Sequence, residues 1–469
     1  MSAVSRGKRP ASFATWYPAW KSDRRRGRQP MRDIIITVVV LSTLPFILRN
    51  AWLGVLTWSW LSYMNPHRLA WGFAYTMPFA QIVAITLLIA IVISPEKKRL
   101  PGNSLVWVWG LFLLWNVVCT VLAIYPENAM EQLETVLKIQ LITLVTLLLM
   151  NNFERINQLV WVICFSIGFY SVKGGAFTLL TGGAFHVYGP DGTYIRENNT
   201  LAVAVLMIIP MMIYIYRFPP HELVRKAMPV CIFLSLISVV GSQSRGALVA
   251  IFAVGAFFWW QSKAKAVTAI AFIVLGFFGY MFMPQSWHDR MASISDYEED
   301  SSAMERLYAW EYSFHMANDR LTGGGFNNWS RENYAKYMPI AKQPFVAHSI
   351  YFGVLGESGW PGLVLFLLVL FLVWRQLNQV IALTRDDPER ANFTFLARML
   401  KISIIAFMAG GAFLSLAYFD LAWHIMAIAV AMTQLTRSGQ AAGEGAPAPA
   451  RRPRRRPQYA RGRRAPGRS

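Results

Sequence analysis

The sequence predicts an all-α polytopic membrane protein of about twelve transmembrane helices, with a helical cap on the outer face between the late helices. Three observations carry that prediction. Apolar residues make up 55% of the 469 residues and charged residues only 15%, too little charge to cover a soluble protein of this length. Apolar runs long enough, or nearly so, for a ~30 Å hydrocarbon core recur along most of the chain. Finally, the net charge of +20 sits at the ends: residues 1–32 contribute +8 and residues 437–469 contribute +9, which leaves the body nearly neutral. This balance excludes a soluble enzyme with a membrane tail.

Residues 1–32, with Arg24-Arg25-Arg26, read as a basic cytoplasmic arm. No small-residue cleavage site follows the first apolar stretch, which argues against a secretory or twin-arginine signal. The bundle 33–283 holds spanning candidates near 33–63, 75–94, 104–124, 136–150, 156–175, 199–216, 227–241, 247–261 and 266–283. The C-terminal helices, 348–436, add 350–374 and the stretch 397–435, which is too long for one helix and divides around Gly410-Gly411 or Asp420. Basic loops at Lys97-Lys98-Arg99, Arg155, Arg217 with Arg225 and Lys226, Lys263 with Lys265, and Arg375 through Arg390 are expected to be cytoplasmic. With 33–63 counted as one crossing, a spanning helix followed by an interfacial piece around Arg49-Asn50, twelve crossings leave both termini in the cytoplasm.

The polar segment 284–347 reads as a structured cap loop. Ser302 and Glu305 form a capping box, and Met304, Leu307, Trp310 and Phe314 supply an apolar stripe. Gly323-Gly324-Gly325 breaks the chain before Asn327-Asn328, which is expected to cap a second short helix ending near Pro339. Residues 437–469 read as a disordered basic tail that is attracted to anionic membrane lipids; it lacks a folded nucleic-acid reader. Cys119, Cys164 and Cys231 lie in apolar runs, without the spacing of a disulfide framework or a zinc site, and read as small buried hydrophobes.

Ionisable groups at the outer helix ends are the candidates for chemistry, because each is costly to hold near lipid without a partner or a role. Arg245 stands in the tight turn Gly241-Ser-Gln-Ser-Arg245-Gly246, where an outward arginine runs against the usual charge bias. It either snorkels to lipid phosphates or binds an anionic ligand. Arg306 precedes Trp310 by one helical turn on the cap helix, and its planar guanidinium suits phosphate oxygens; a surface ion pair with Glu305 or Asp300 is the alternative. His348 stands where the cap re-enters the membrane, with Glu357 nine residues on, about 13.5 Å of helical rise away and too far for a direct dyad. A neutral imidazole there suits proton abstraction from a sugar hydroxyl, although a lone histidine is more often structural. Lys173 and Arg196 flank the outer loop 176–198 as additional positive charges or as interfacial anchors. The acidic run Asp296 to Asp300 lacks fixed ligand geometry, so no metal is expected, and no Walker loop, GxSxG or HExxH occurs.

Ser244-Arg245-Gly246, Arg306 with Trp310, Gly324-Gly325-Phe326, and His348 with Glu357-x-Gly359 together resemble the signature of the O-antigen ligase superfamily of bacterial inner-membrane glycosyltransferases. The chain departs at Ser349, where Asn is usual, and at Phe352, where Leu is usual. The N-terminal half, from Met31-Arg-Asp through Leu61-Ser-Tyr-Met-Asn-Pro-His-Arg-Leu, is similar to the exosortase-associated O-glycosylation ligase branch. The resemblance implies glycan transfer from undecaprenyl pyrophosphate to a lipid A–core acceptor on the periplasmic side. It further implies inversion at the anomeric carbon, His348 as base, Arg245 and Arg306 on the pyrophosphate, and neither metal nor cofactor. An O-antigen polymerase and a protein O-oligosaccharyltransferase use the same donor and similar motifs. A lipid or solute transporter is a different class, which would favour charges at the bilayer midplane and an inverted repeat.

Overall fold

The computed structural model describes residues 30–444 apart from 71, 97, 99, 263, 286, 289–300 and 342. The basic arm before residue 30, the tail beyond 444 and the acidic run 296–300 therefore lie outside the described residues, as does the side chain of Ser302. The described chain forms fifteen α-helices and short 3₁₀ turns, with no strand among the described residues. They are α1 Pro30–Arg49, α2 Ala51–Met64, α3 Phe79–Ile93, α4 Ser104–Val121, α5 Pro126–Leu149, α6 Phe153–Leu180, α7 Asn198–Arg217 and α8 Glu222–Gly241. Then follow α9 Arg245–Gln261, α10 Lys265–Phe282, α11 Ser301–Asp319, α12 Arg331–Tyr337, α13 Ile350–Thr384, α14 Ala391–Gly411 and α15 Asp420–Glu444.

Among the described residues nine helices are long and apolar enough to cross a membrane, and α3 and α9 are shorter apolar helices. The protein is thus a multi-pass membrane protein. Its centre is α7, which packs against α8 and α14 and is apolar and buried nearly all round. A helix without a polar face belongs inside a bundle. The outer helices expose large apolar side chains instead, such as Ile34 and Val38 on α1 and Val92 on α3, as lipid contact requires.

The stretch 33–63 divides at Asn50, beside Arg49 where a break is expected, into two helices, α1 and α2, that fold back on each other as an antiparallel hairpin. The buried Asp33 at the start of α1 accepts the backbone N–H groups of Gly72 and Ala74, which follow α2, at 3.1 and 2.8 Å. Close packing holds the pair: a Cβ on Gly54 of α2 would lie 3.0 Å from Ile47 of α1. Counted along alternating helices, residue 30 and the end of α15 then fall at opposite ends of the bundle. The apolar stretch 397–435 divides as its length requires, between Gly411 and Asp420.

The loops after α2, α4, α6, α8 and α14 meet the cap at one face, here called the cap face. Asn65 donates to Asp191 (2.9 Å), Ile124 to Gly324 (3.0 Å) and Gln243 to Gly183 (2.8 Å). At the opposite face the buried ion pair Arg155–Glu96 (2.5 Å) joins two loops, with the guanidinium 5.3 Å from the Trp52 ring. In a background lacking the native cysteines, single cysteines at Asp191 and Asp386 should react with an impermeant maleimide from opposite sides of the membrane. A cysteine at Met31 should share the side of Asp191; labelling from the Asp386 side would refute the hairpin.

Candidate active site

The cap is held down by glycines. Backbone N–H groups of Gly324 and Gly325 donate to the carbonyls of Gly356 and Glu357 at 2.9 and 3.0 Å. That pairing is open only because α13 breaks there: Gly359 has φ 65° and ψ −172°, a left-handed conformation that glycine adopts freely. Side chains have no room at the crossing. A Cβ on Gly359 would lie 2.0 Å from the carbonyl of Leu321, and one on Gly325 2.3 Å from Ala123. Asn328 locks the turn by donating to Gly325 (2.6 Å) and Gly356 (3.2 Å) while accepting from the Tyr312 hydroxyl (2.7 Å). It is therefore not the helix cap expected of it. Ser330 caps α12 instead, accepting from Asn333 N–H at 3.1 Å. Glu357 receives the backbone N–H of Asn327, so it braces the cap and stands apart from His348.

His348 is gripped on both sides. The Trp310 indole donates to the carbonyl of Ala347 at 2.8 Å, and Ser349 caps α13 by accepting from Tyr351 and Phe352. Trp310 also stacks on Phe352, with ring centroids 4.9 Å apart and planes 7° from parallel. Between these anchors His348 takes φ 42°, a conformation that costs a non-glycine residue about 1–3 kcal/mol unless its surroundings impose it. The imidazole reaches open space at the cap face. Partial loss of hydration lowers its pKa below the ordinary value; the positive charge of Arg306 lowers it further, and Glu197 and Glu305 oppose the shift. The ring is therefore neutral near neutral pH.

The turn that bears Arg245 comes from another element. Asn198 at the start of α7 donates to Ser242 (2.7 Å), and Gln243, at φ 55°, bonds Gly183 across the turn. Ser244 caps α9 by accepting from Ala247 N–H at 3.1 Å, which makes half-buried Arg245 the first residue of that helix. Next to it, Gly246 packs on Phe413: a Cβ there would lie 3.4 Å from the phenyl Cβ. The Phe413 ring lies 6.1 Å from that of Trp310. One chain of contacts thus joins the Arg245 turn to the residue that grips His348, and Arg306 lies one helical turn from Trp310 on α11.

The other two basic residues stand aside. Arg196 pairs with Asp191 at 3.0 Å, and both are about two-thirds exposed, so its charge is answered at the surface. Lys173 is exposed on α6. Of this acidic-loop region it is Glu197 whose charge His348 feels. A second polar cluster escaped the sequence reading. Asp420 accepts from Ser62, and buried His424 lies between the hydroxyls of Tyr63 (2.7 Å) and Ser59 (3.4 Å). The signal was there, an Asp and a His four residues apart in an otherwise apolar helix. Among the described residues no group of three or more His, Cys, Asp and Glu is arranged to hold a metal.

These features define a multi-helix membrane protein with a basic, imidazole-bearing cluster at one end of its bundle. Residues 230–367 match the family model described as O-antigen ligase, a span that holds Arg245, Arg306, His348 and Glu357. Over those residues the chain is similar to the O-antigen ligase superfamily, whose activities are glycan transfers of the ligase and polymerase type. Residues 31–219 match a second model, described as a family of unknown function. No curated protein matches the chain.

Gly359→Ala should strain the break by roughly 1–3 kcal/mol from φ alone, with the overlap on Leu321 in addition. Fluorescence-detected size exclusion in detergent should show a lower melting temperature. Gly353→Ala, where an added Cβ meets nothing within 4 Å, should melt like the parent.

Proposed function

We propose that the protein is an O-antigen ligase, transferring a glycan from undecaprenyl pyrophosphate to the lipid A–core oligosaccharide on the periplasmic side of the inner membrane. The observation that carries this reading is the neutral imidazole of His348, strained at φ 42° within the field of Arg306 and joined by packing to the turn of Arg245. Location follows from charge. The face opposite the cap carries Arg155, Arg217, Arg225, Lys226, Lys265, Arg385 and Arg390, and short basic loops stay in the cytoplasm. The cap then faces the periplasm.

In the reaction, His348 takes the proton of the acceptor hydroxyl as its oxygen attacks the anomeric carbon. The bond from that carbon to the pyrophosphate oxygen breaks, and the configuration inverts. Negative charge grows on the leaving pyrophosphate, where Arg245 and Arg306 stabilise it; fixed cations at a developing charge outrank any other single contribution. With arginines in this role the reading requires no metal. Both substrates are lipid-anchored, so the membrane itself brings them together at the cap face. Arg306 has a second effect on the base: it discourages a standing proton on His348 and so keeps the ring ready to accept one.

Purified protein given a defined lipid-linked donor and a panel of acceptors tests this by mass analysis of the product. Transfer to a peptide or to a growing glycan alone would replace the lipid A–core assignment. His348→Ala should lose about 10²–10⁴-fold in rate with normal expression, and retained transfer would defeat its role. Arg245→Ala and Arg306→Ala should raise the donor concentration needed for half-maximal rate. The acid limb of the pH profile should fall below the ordinary histidine value of about 6.5. Arg306→Gln removes a cation that opposes protonation, so that limb should move to higher pH; no movement would separate Arg306 from the base.

A further inference from the structure

Arg68 lies on the cap face away from His348, in the 3₁₀ turn Pro66–Leu69. Its guanidinium carbon is 4.5 Å from the centroid of the Tyr75 ring, and it rests against the backbone of Gly192, where an added Cβ would lie 3.8 Å from Nε. The turn is rigidly placed. Asn65 enters it at φ 48° and donates to the Asp191 carbonyl at 2.9 Å, while the Tyr170 hydroxyl donates to the Met64 carbonyl at 2.8 Å.

Among the described residues no carboxylate pairs with this half-buried cation. Asp191 is paired with Arg196, and Asp33 accepts two backbone N–H groups through Oδ1 while its Oδ2 stays buried without a partner; neither bonds Arg68. Arg68 Nε is buried without a hydrogen-bond partner. So is Nδ1 of the adjacent His67, a side chain only 9% exposed. His67 feels Arg68 directly: burial lowers its pKa first and the neighbouring cation lowers it further, which leaves a neutral ring with hydrogen-bonding capacity. Buried polar groups in a folded protein almost always find a partner, so unmet nitrogens on two consecutive residues mark a place for one. The surroundings say which kind. Phe73 (53% exposed), Ile34 (51%) and Tyr75 (36%) line this edge of the bundle, so what approaches it is lipid. A guanidinium stacked on an aromatic ring and bordered by apolar surface suits the phosphate of a lipid headgroup.

We propose that Arg68, with His67 and the Tyr75 ring, holds the phosphate of a lipid in the leaflet on the cap side, at a site separate from His348. The phosphate belongs either to a bulk anionic phospholipid or to a phosphorylated glycolipid, and the test tells them apart. Full-length protein is placed in phosphatidylcholine nanodiscs doped with phosphatidylglycerol or with lipid A, and the lipid it retains on release is counted by native mass spectrometry. The parent should keep one doped lipid, and Arg68→Ala should retain at least tenfold less. Arg385→Ala on the other face should retain it unchanged. Arg68→Lys, which keeps the charge but loses the planar fork, should fall between, and it guards against misfolding of the alanine variant. Loss of both doped lipids assigns a general phospholipid phosphate; loss of lipid A alone assigns a glycolipid. Equal retention by parent and Arg68→Ala overturns the site. Retention needs no turnover, so this result stands or falls independently of the transfer assay.

Discussion

The backbone pairing of Gly324 and Gly325 with the carbonyls of Gly356 and Glu357 fixes the cap on the bundle, and the candidate site hangs from it. Two polypeptide backbones can approach this closely near a membrane only where side chains are absent and the freed helix carbonyls find donors. The break at Gly359 supplies the carbonyls, the glycine turn supplies the amides, and Asn328 takes what remains. Once the turn is seated, α11 lies across the start of α13, and Trp310 meets the carbonyl before His348. A constraint on two loops thereby becomes a constraint on one imidazole.

Electrostatics then divides the cap face into zones. Around His348, Arg306 lowers the proton affinity of the ring while Glu197 and Glu305 moderate it, which keeps a base neutral beside cations. Farther out, Arg196 is cancelled by Asp191, and Arg68 stands stacked on Tyr75 without an acidic partner. Positive charge is thus answered in the exposed loop and kept at half-buried Arg245, Arg306 and Arg68, where an anion would lose least to water.

Much of this was legible in the sequence. Apolar runs gave the helical class, and the break between α14 and α15 followed from a stretch too long for one helix. The Arg245 turn, the Arg306–Trp310 spacing and His348 were visible as polar groups at apolar boundaries. The α1–α2 hairpin was legible only as a break at Arg49-Asn50, with the second piece read as interfacial; that α2 folds back along α1 was not, because Asn50 is its whole turn. Length held the clue, since a helix that long would exceed the hydrocarbon core by about half. Asn327-Asn328 misled for a different reason. Asn is a good helix cap by type, but its amide was already committed to the glycine turn, a tertiary use that no local pattern announces. Arg196 looked like added potential because its partner, Asp191, sits five residues back across a turn.

The indole of Trp310 has one more consequence. It ties the loop bearing the imidazole to the very helix that carries Arg306, so the ring and the helix bearing the guanidinium are mechanically geared. If the cap shifts, both leave register at once. In the proposed reaction, an activated donor at a disengaged cap meets neither, and water gains no catalyst for wasting it.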